Sequence, residues 1–100
     1  MSQEILYQEE QGYVGLYFEP NLGYVMTVEL HQWSVSELKR YLIIFGKILN
    51  DLKDRGITVV YGLCRSEKKQ KFTEVFGFKP TYMNLDNNDN VPMHIMRLEL

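Results

Sequence analysis

The stretch ITVVYGLCRSEKKQKFTEVFGFKP (57–80) decides the fold of this chain. It opens with a nearly continuous apolar run, which is typical of a central strand covered on both faces. Ser66 then supplies an N-cap for a short helix that runs through Phe76. Gly77 ends this helix because glycine readily adopts the left-handed conformation found there, and another strand begins at Phe78. The buried side of the short helix is expected to consist of Phe72, Val75 and Phe76.

A longer helix is predicted upstream, at residues 34–55. Ser34 and Glu37 form an S-x-x-E capping box, in which each side chain accepts a hydrogen bond from the backbone N–H of the other residue. Trp33 precedes the cap and fits a hydrophobic staple with the first apolar residue of the helix. Gly56 suits the left-handed position after the last turn. Apolar side chains recur at helical spacing and predict one buried stripe: Leu38, Tyr41, Leu42, Phe45, Ile48, Leu49 and Leu52.

The remaining sequence reads as strands joined by turns. Residues 19–23 carry turn chemistry between two aromatic-rich runs and predict a hairpin, and residues 86–92 predict a hairpin loop. The whole chain, 1–100, is expected to form one domain. Its class is α/β (α+β), a mixed sheet of five to six strands in the order β-β-β-α-β-α-β-β. The strands are predicted at residues 5–7, 13–18, 24–30, 57–63, 78–85 and 93–100.

Composition narrows the classes of function. The net charge is -2, which gives no broad attraction to nucleic acid or to an anionic membrane. The single cysteine, Cys64, cannot form an internal disulfide, which fits a reducing compartment. No apolar run reaches the ~20 residues of a membrane-spanning helix. We therefore expect a cytoplasmic protein, in its own cell or in a host.

The order strand, helix, strand, helix, Gly-Phe, strand resembles the acyl-CoA N-acyltransferase (GNAT) superfamily. The fourth motif of that family reads Asn-x-x-Ala-x-x-Phe-Tyr-x-x-x-Gly-Phe. Here the segment Phe72-Thr73-x-x-x-Gly77-Phe78 keeps both phenylalanines and the glycine, and has threonine in place of tyrosine. The match in element order covers about residues 13–100. The two helices that the family inserts after its first strand are missing. The chain is similar to the very small GNAT-like proteins of tailed bacteriophages, some of which belong to virion or head-assembly modules.

The resemblance implies an acetyl-CoA loop before the long helix, and residues 31–37 depart from its pattern. They contain no glycine and no arginine, and Glu37 places a carboxylate where a diphosphate would bind. The family's general-acid tyrosine falls on Thr73, and Glu29 lies where some members carry a base. We therefore expect no cofactor. In the alternative, an active acetyl-CoA-dependent enzyme with an atypical loop, the catalytic residues would be Glu29 and Thr73, and the cofactor would contact Trp33, Ser34, Val35 and Ser36.

The sequence thus favours a degenerate, non-catalytic GNAT-like domain that works through protein contacts, as a virion or head-assembly component or as an inhibitor of a host factor. Without the missing helices, aromatic side chains of the early strands have less chain to cover them, and such patches mark association sites. The partner is expected to be a protein, a second copy of the chain among the options. The contact residues are predicted to be Tyr13, Tyr17, Phe18 and Tyr24.

Metal and nucleic-acid sites are weaker readings of the sequence. His31 and His94 have no Cys or carboxylate at ligand spacing, so no metal is expected. Arg65, Lys68, Lys69 and Lys71 form a basic helical patch that would suit nucleic acid. Glu67 and Glu74 dilute this patch, so a solvated helix face is the better interpretation.

Overall fold

The computed structural model describes residues 3–31, 34–85 and 93–100, the side chains of Tyr82, Asn84 and Leu85 excepted. The predicted element order is confirmed. Trp33, with its staple, and the predicted loop at 86–92 lie outside the described residues. The elements are β1 Glu4–Glu9, β2 Gly12–Glu19, β3 Gly23–Leu30, α1 Val35–Asp54, β4 Val59–Cys64, α2 Glu67–Val75, β5 Lys79–Leu85 and β6 Met93–Glu99.

The six strands form one mixed sheet in the order β1-β2-β3-β4-β6-β5. Its outer pairs are antiparallel, and the central pair, β3 and β4, is parallel because α1 connects them. The β2–β3 hairpin closes at Gly23, whose φ of 132° lies in the region that favours glycine. Among the described residues, no helix is both long enough and apolar enough to cross a bilayer.

The long helix begins and ends where its sequence signals predict. Ser34 is the N-cap, and its Oγ accepts from the backbone N–H of Glu37 at 3.1 Å. The second half of the predicted capping box is wrong, because the Glu37 carboxylate accepts from Arg40 one turn along. In the predicted apolar stripe, Leu42 is exposed. Gly56, with φ of 88°, follows the last turn as expected.

Both helices pack on the same face of the sheet, which we call the helix face. Phe45 of α1 meets Phe76, the C-cap of α2, with ring centroids 5.0 Å apart. Val75 was predicted to be buried but is 48% exposed. The core beneath the helices comes from alternate positions of the strands: Val14, Leu16, Met26, Val60, Cys64 and Met96.

The opposite face of the sheet, which we call the open face, carries no helix among the described residues. The prediction that β4 is covered on both faces is therefore corrected. Val60 and Cys64 point into the core under the helices, whereas Tyr61 and Leu63 alternate to the open face and are half-buried. The run looked uniformly apolar only because tyrosine and leucine occupy the positions that face away from the helices.

Candidate functional site

A crevice opens where the central strands part. β3 and β4 share one register pair, Val25 with Tyr61. Beyond that pair a cavity of about 120 Å³ lies between the strands and against α2. Its lining residues include Met26, Val28, Glu29, Gly62, Lys69 and Thr73. The pocket is small beside the ~300–1,000 Å³ of typical ligand sites.

Lys69 crosses this crevice. Its Nζ donates a hydrogen bond to the carbonyl oxygen of Val28 at 3.2 Å and lies 5.0 Å from the ring centroid of Phe72. The Val28 carbonyl belongs to the part of β3 that has separated from β4, so the ammonium supplies a donor where the ladder ends. The expectation that Lys69 belongs to a solvated basic face is therefore wrong. Its neighbours Arg65, Lys68 and Lys71 are exposed.

The hydroxyl of Thr73 is committed to the helix backbone. Its Oγ1 donates to the carbonyl oxygen of Lys69 at 2.7 Å and lies 3.3 Å from Cys64 Sγ. Because the single hydroxyl proton goes to the carbonyl, the thiol of Cys64 is the donor of the second bond. Burial raises the pKa of the Cys64 thiol. This arrangement keeps the thiol protonated and leaves Thr73 no proton to give to a substrate.

Glu29 and Thr73, the two catalytic residues of the alternative reading, line the same crevice. Glu29 is exposed at its mouth and lies across from Tyr13 in the β2–β3 ladder. The fold therefore brings these two predicted residues together. It does so without a second carboxylate or histidine among the described lining residues of the cavity.

The start of α1, where the family resemblance places the cofactor, is exposed, and its side chains contact one another. Ser34 caps the helix, and its Oγ also lies 3.1 Å from the Oγ of Ser36. Glu37 holds Arg40, which in turn binds Glu9 of β1. The apolar side chain of Val35, the first residue of the helix, is 71% exposed. Glu9 and Glu37 share the single cation of Arg40, so this group keeps a net negative charge beside the helix start, which disfavours a diphosphate there.

The open face carries a row of side chains that runs across five strands. Tyr17 of β2 lies opposite Val25 of β3, which lies opposite Tyr61 of β4. Tyr61 lies opposite Arg97 of β6, and Arg97 opposite Lys79 of β5. Val25 is fully buried between its two tyrosine neighbours, and the tyrosines themselves are half-buried. We call these five residues the cross-strand row.

The electrostatics of the row differ between its two ends. Burial, and then the nearby Glu19 carboxylate, raise the pKa of Tyr17. Arg97 donates to Glu99 at 2.5 Å, and this bond, followed by one to Tyr61, raises the pKa of Arg97. Lys79 is exposed beside them at the edge of the sheet. The row is therefore aromatic at its β2 end and cationic at its β5 end.

The four predicted contact residues are divided between the two faces. Tyr13 and Tyr17 lie on the open face, opposite Glu29 and Val25. Phe18 and Tyr24 lie opposite each other on the helix face, with ring centroids 5.2 Å apart, and are 48% and 39% exposed. One continuous patch of all four is thus ruled out by strand alternation. Whether either pair contacts a partner stays a prediction.

The two histidines, for which no metal site was expected, lie at different elements of the sheet. His31 follows β3, and its backbone N–H donates to Gln11. His94 lies opposite Cys64 in the β4–β6 ladder. Within the described part of the chain, no group of three or more His, Cys, Asp or Glu residues is placed to hold an ion.

Sequence reasoning missed Tyr61, Arg97, Lys79 and the inward turn of Lys69. Strand alternation in VVYGLC carried a signal for Tyr61, since Gly62 and Cys64 share one side and the tyrosine takes the other. The pairing of Arg97 with Lys79 needs the β5–β6 register, which no local pattern supplies.

Comparison with known proteins does not identify a family for this chain, since no family model, no curated protein and no solved structure matches it.

Proposed function

We propose that this chain is a non-catalytic GNAT-like domain that acts through protein contacts. In this proposal it is a phage protein, either a virion or head-assembly component or an inhibitor of a host factor, and works in the host cytoplasm or in the virion. One observation carries the proposal: the chain's own Lys69 side chain lies across the crevice that holds Glu29 and Thr73, the catalytic residues of the alternative, and donates to the Val28 carbonyl there. The open face supplies the surface for contacts instead.

The crevice argues against a bound thioester on grounds of size and of hydrogen bonding. The cavity between the strands has a volume of about 120 Å³, and a second cavity of about 240 Å³ shares Val28, Glu29 and Lys69 with it. Each is below the ~300–1,000 Å³ of typical ligand sites. The Val28 carbonyl, which lies where β3 has separated from β4, already accepts from Lys69 at 3.2 Å. A ligand would have to displace a charged donor and leave it without a partner in a half-buried site.

The start of α1 argues in the same direction. Phosphates bind helix N-termini because free N–H groups and the helix dipole attract negative charge. Here Ser34 Oγ takes the N–H of Glu37, and the Glu37 carboxylate brings a negative charge to the first turn. Both features stabilise the helix without a ligand, and both disfavour a diphosphate.

The open face supports the contact half of the proposal. Tyrosine and arginine are the residues most enriched in the energetic centres of protein interfaces. Tyr17 and Tyr61 flank a buried valine on this face, and Arg97 lies beside Tyr61. Half-buried aromatic rings need little further ordering to bind, which lowers the entropic cost of association.

Acetyl-CoA titration tests the non-catalytic half. We expect millimolar acetyl-CoA to leave the melting temperature of the wild-type chain unchanged, since a ligand stabilises only a state it binds. The matched variant is Lys69→Ala, which removes the side chain that crosses the crevice and keeps the start of α1. If acetyl-CoA binds only this variant, Lys69 is the group that excludes acetyl-CoA from the wild type. If acetyl-CoA binds neither protein, the start of α1 excludes it as well. Saturable micromolar binding to the wild type would contradict the proposal.

A second candidate, an active N-acyltransferase with an atypical cofactor loop, is favoured by the placement of Glu29 and Thr73 on one crevice. Release of free CoA from acetyl-CoA in the presence of polyamine and peptide amine acceptors tests it. Turnover that is lost in Glu29→Gln and retained in Glu19→Gln would establish this alternative. Glu19 is the appropriate control because it lies on the same sheet outside the crevice lining.

A further inference from the structure

We propose that the open face is a homodimer interface on which a second copy of this chain stacks face to face. The inference rests on the proposed function, which it deepens by naming the partner. It is drawn from the internal symmetry of the cross-strand row. The two copies would be related by a two-fold axis that lies between the sheets and runs parallel to the strands.

The row has an odd number of strands, and its middle member is Tyr61 of β4. A two-fold axis through this position places Tyr61 against the partner's Tyr61. The same operation places Tyr17 against the partner's Lys79, and brings the partner's Arg97 over the position of Val25, where the flanking Tyr17 and Tyr61 rings cover the buried valine. Every contact then occurs twice, as a closed isologous interface requires.

The two halves of the row are chemically complementary. The β2 half offers the ring of Tyr17 and, two residues further on the same face, the carboxylate of Glu19. The β5 half offers the ammonium of Lys79 and the guanidinium of Arg97. Cations pack favourably over tyrosine rings and near carboxylates. Glu99 compensates part of the Arg97 charge within each copy, so Lys79 is the main cation that the symmetry brings to the aromatic half.

The size of the face is sufficient for a small dimer. Six strands spaced about 4.8 Å apart span roughly 24 Å, and their average of about seven residues at about 3.4 Å each spans roughly 24 Å. The face therefore offers on the order of 570 Å² per copy, and the total of about 1,150 Å² lies just above the ~1,000 Å² that a specific interface needs. Stacked sheets keep their strands within about 30° of each other, which fits an axis parallel to the strands.

Sedimentation equilibrium over micromolar to millimolar chain concentrations tests the proposal. We expect wild-type mass to rise from the monomer value of 11.9 kDa to twice that value. Lys79→Glu should weaken the dimer at least tenfold, because it places a carboxylate against Tyr17 and Glu19 of the partner subunit. The double variant Glu19→Lys with Lys79→Glu exchanges the two charges and should restore association. Lys79 is exposed, so its replacement removes no core contact, and circular dichroism verifies that each variant is folded.

The matched control is Tyr24→Ser, which removes an aromatic ring from the helix face and should leave the dimer intact. Tyr61→Ser should abolish it. A wild-type chain that stays monomeric at millimolar concentration overturns the proposal, and so does a dimer that tolerates both Lys79→Glu and Tyr61→Ser. Either result leaves the acetyl-CoA titration unaffected, so the homodimer can fail while the non-catalytic assignment stands. If the chain forms the dimer and also binds acetyl-CoA, the homodimer stands and the non-catalytic assignment fails.

Discussion

Lys69 Nζ and the carbonyl oxygen of Val28 lie 3.2 Å apart and join α2 to β3 across the crevice where the central strands separate. Parallel neighbours in a sheet normally satisfy each other's carbonyls. Here β3 and β4 share one register pair, and a lysine ammonium takes the place of a backbone donor beyond it. The same ammonium lies 5.0 Å from the ring centroid of Phe72, a cation–π contact. One charged group thus makes a hydrogen bond and an aromatic contact across the gap.

Removing this ammonium should destabilise the fold. Lys69→Met retains the apolar stem and loses the donor, so we expect it to lower the free energy of unfolding by about 1–2 kcal/mol. Lys69→Ala loses the stem as well and should cost more than the methionine variant. Urea denaturation measures both. Lys68→Ala, at an exposed position on the same helix, is the control and should stay within about 0.5 kcal/mol of wild type. Equal stability of Lys69→Met and wild type would show that the bond contributes nothing.

Acid should lower the stability of the fold, and protonation of Glu9 should account for part of the loss. Arg40 donates to this carboxylate, at 2.9 Å from one nitrogen, and holds the pKa of Glu9 down at about 2 against an ordinary 4.5. A folded-state pKa below the unfolded value means that the contribution to stability is complete above about pH 4.5. It is lost as the pH falls towards 2. We therefore expect Glu9→Gln to be less stable than wild type at neutral pH, with a shallower loss of stability between these two values.

Urea midpoints measured across this pH range provide the test for Glu9. Glu10→Gln is the control, since Glu10 is the exposed neighbour at the end of β1. Its denaturation midpoint should follow the wild-type curve. If Glu9→Gln shows the same pH slope as wild type, the Glu9–Arg40 pair has no role in acid sensitivity.

Two glycines should respond in opposite directions to alanine. A Cβ on Gly12 would lie 2.0 Å from the Glu29 carbonyl oxygen, so Gly12→Ala must shift the β2–β3 ladder. We expect it to cost about 1–3 kcal/mol. Gly46 lies within α1 with nothing within 4 Å of the added atom, so Gly46→Ala should stabilise by about 0.5–1 kcal/mol. Thermal unfolding of both variants against wild type decides. A Gly12→Ala protein with unchanged stability would disprove the close approach.

The element order was predictable because its signals are local. Ser34 and Ser66 cap their helices, Gly56 and Gly77 follow them with positive φ, and each acts through its immediate neighbours. A strand or helix boundary of this kind needs no knowledge of distant residues. The upper bound of six strands and the mixed character of the sheet followed from the same order.

The faces and the crevice were not predictable from the same signals. Tyr17 and Phe18 take opposite sides by alternation, but which side the helices cover is fixed by long-range packing. Val75 and Leu42 had helical spacing suited to burial, yet the core ends before it reaches them. The contact of Lys69 with the Val28 carbonyl depends on where β3 and β4 separate. These two residues are far apart in the chain, so no local pattern of sequence predicts their contact.

The Cys64 thiol should react slowly in the folded chain. It is 1% exposed, donates to Thr73 Oγ1 at 3.3 Å, and its pKa is raised by burial. Since the thiolate is the reactive form, we expect modification by an aromatic disulfide reagent at mildly alkaline pH to follow unfolding. The rate should rise at least a hundredfold in denaturant. Thr73→Val removes the hydroxyl acceptor and keeps the shape, so the thiol should remain buried and slow in that variant. Stoichiometric labelling of the native chain within seconds would show that Cys64 is accessible, and that the sheet end beside α2 opens readily.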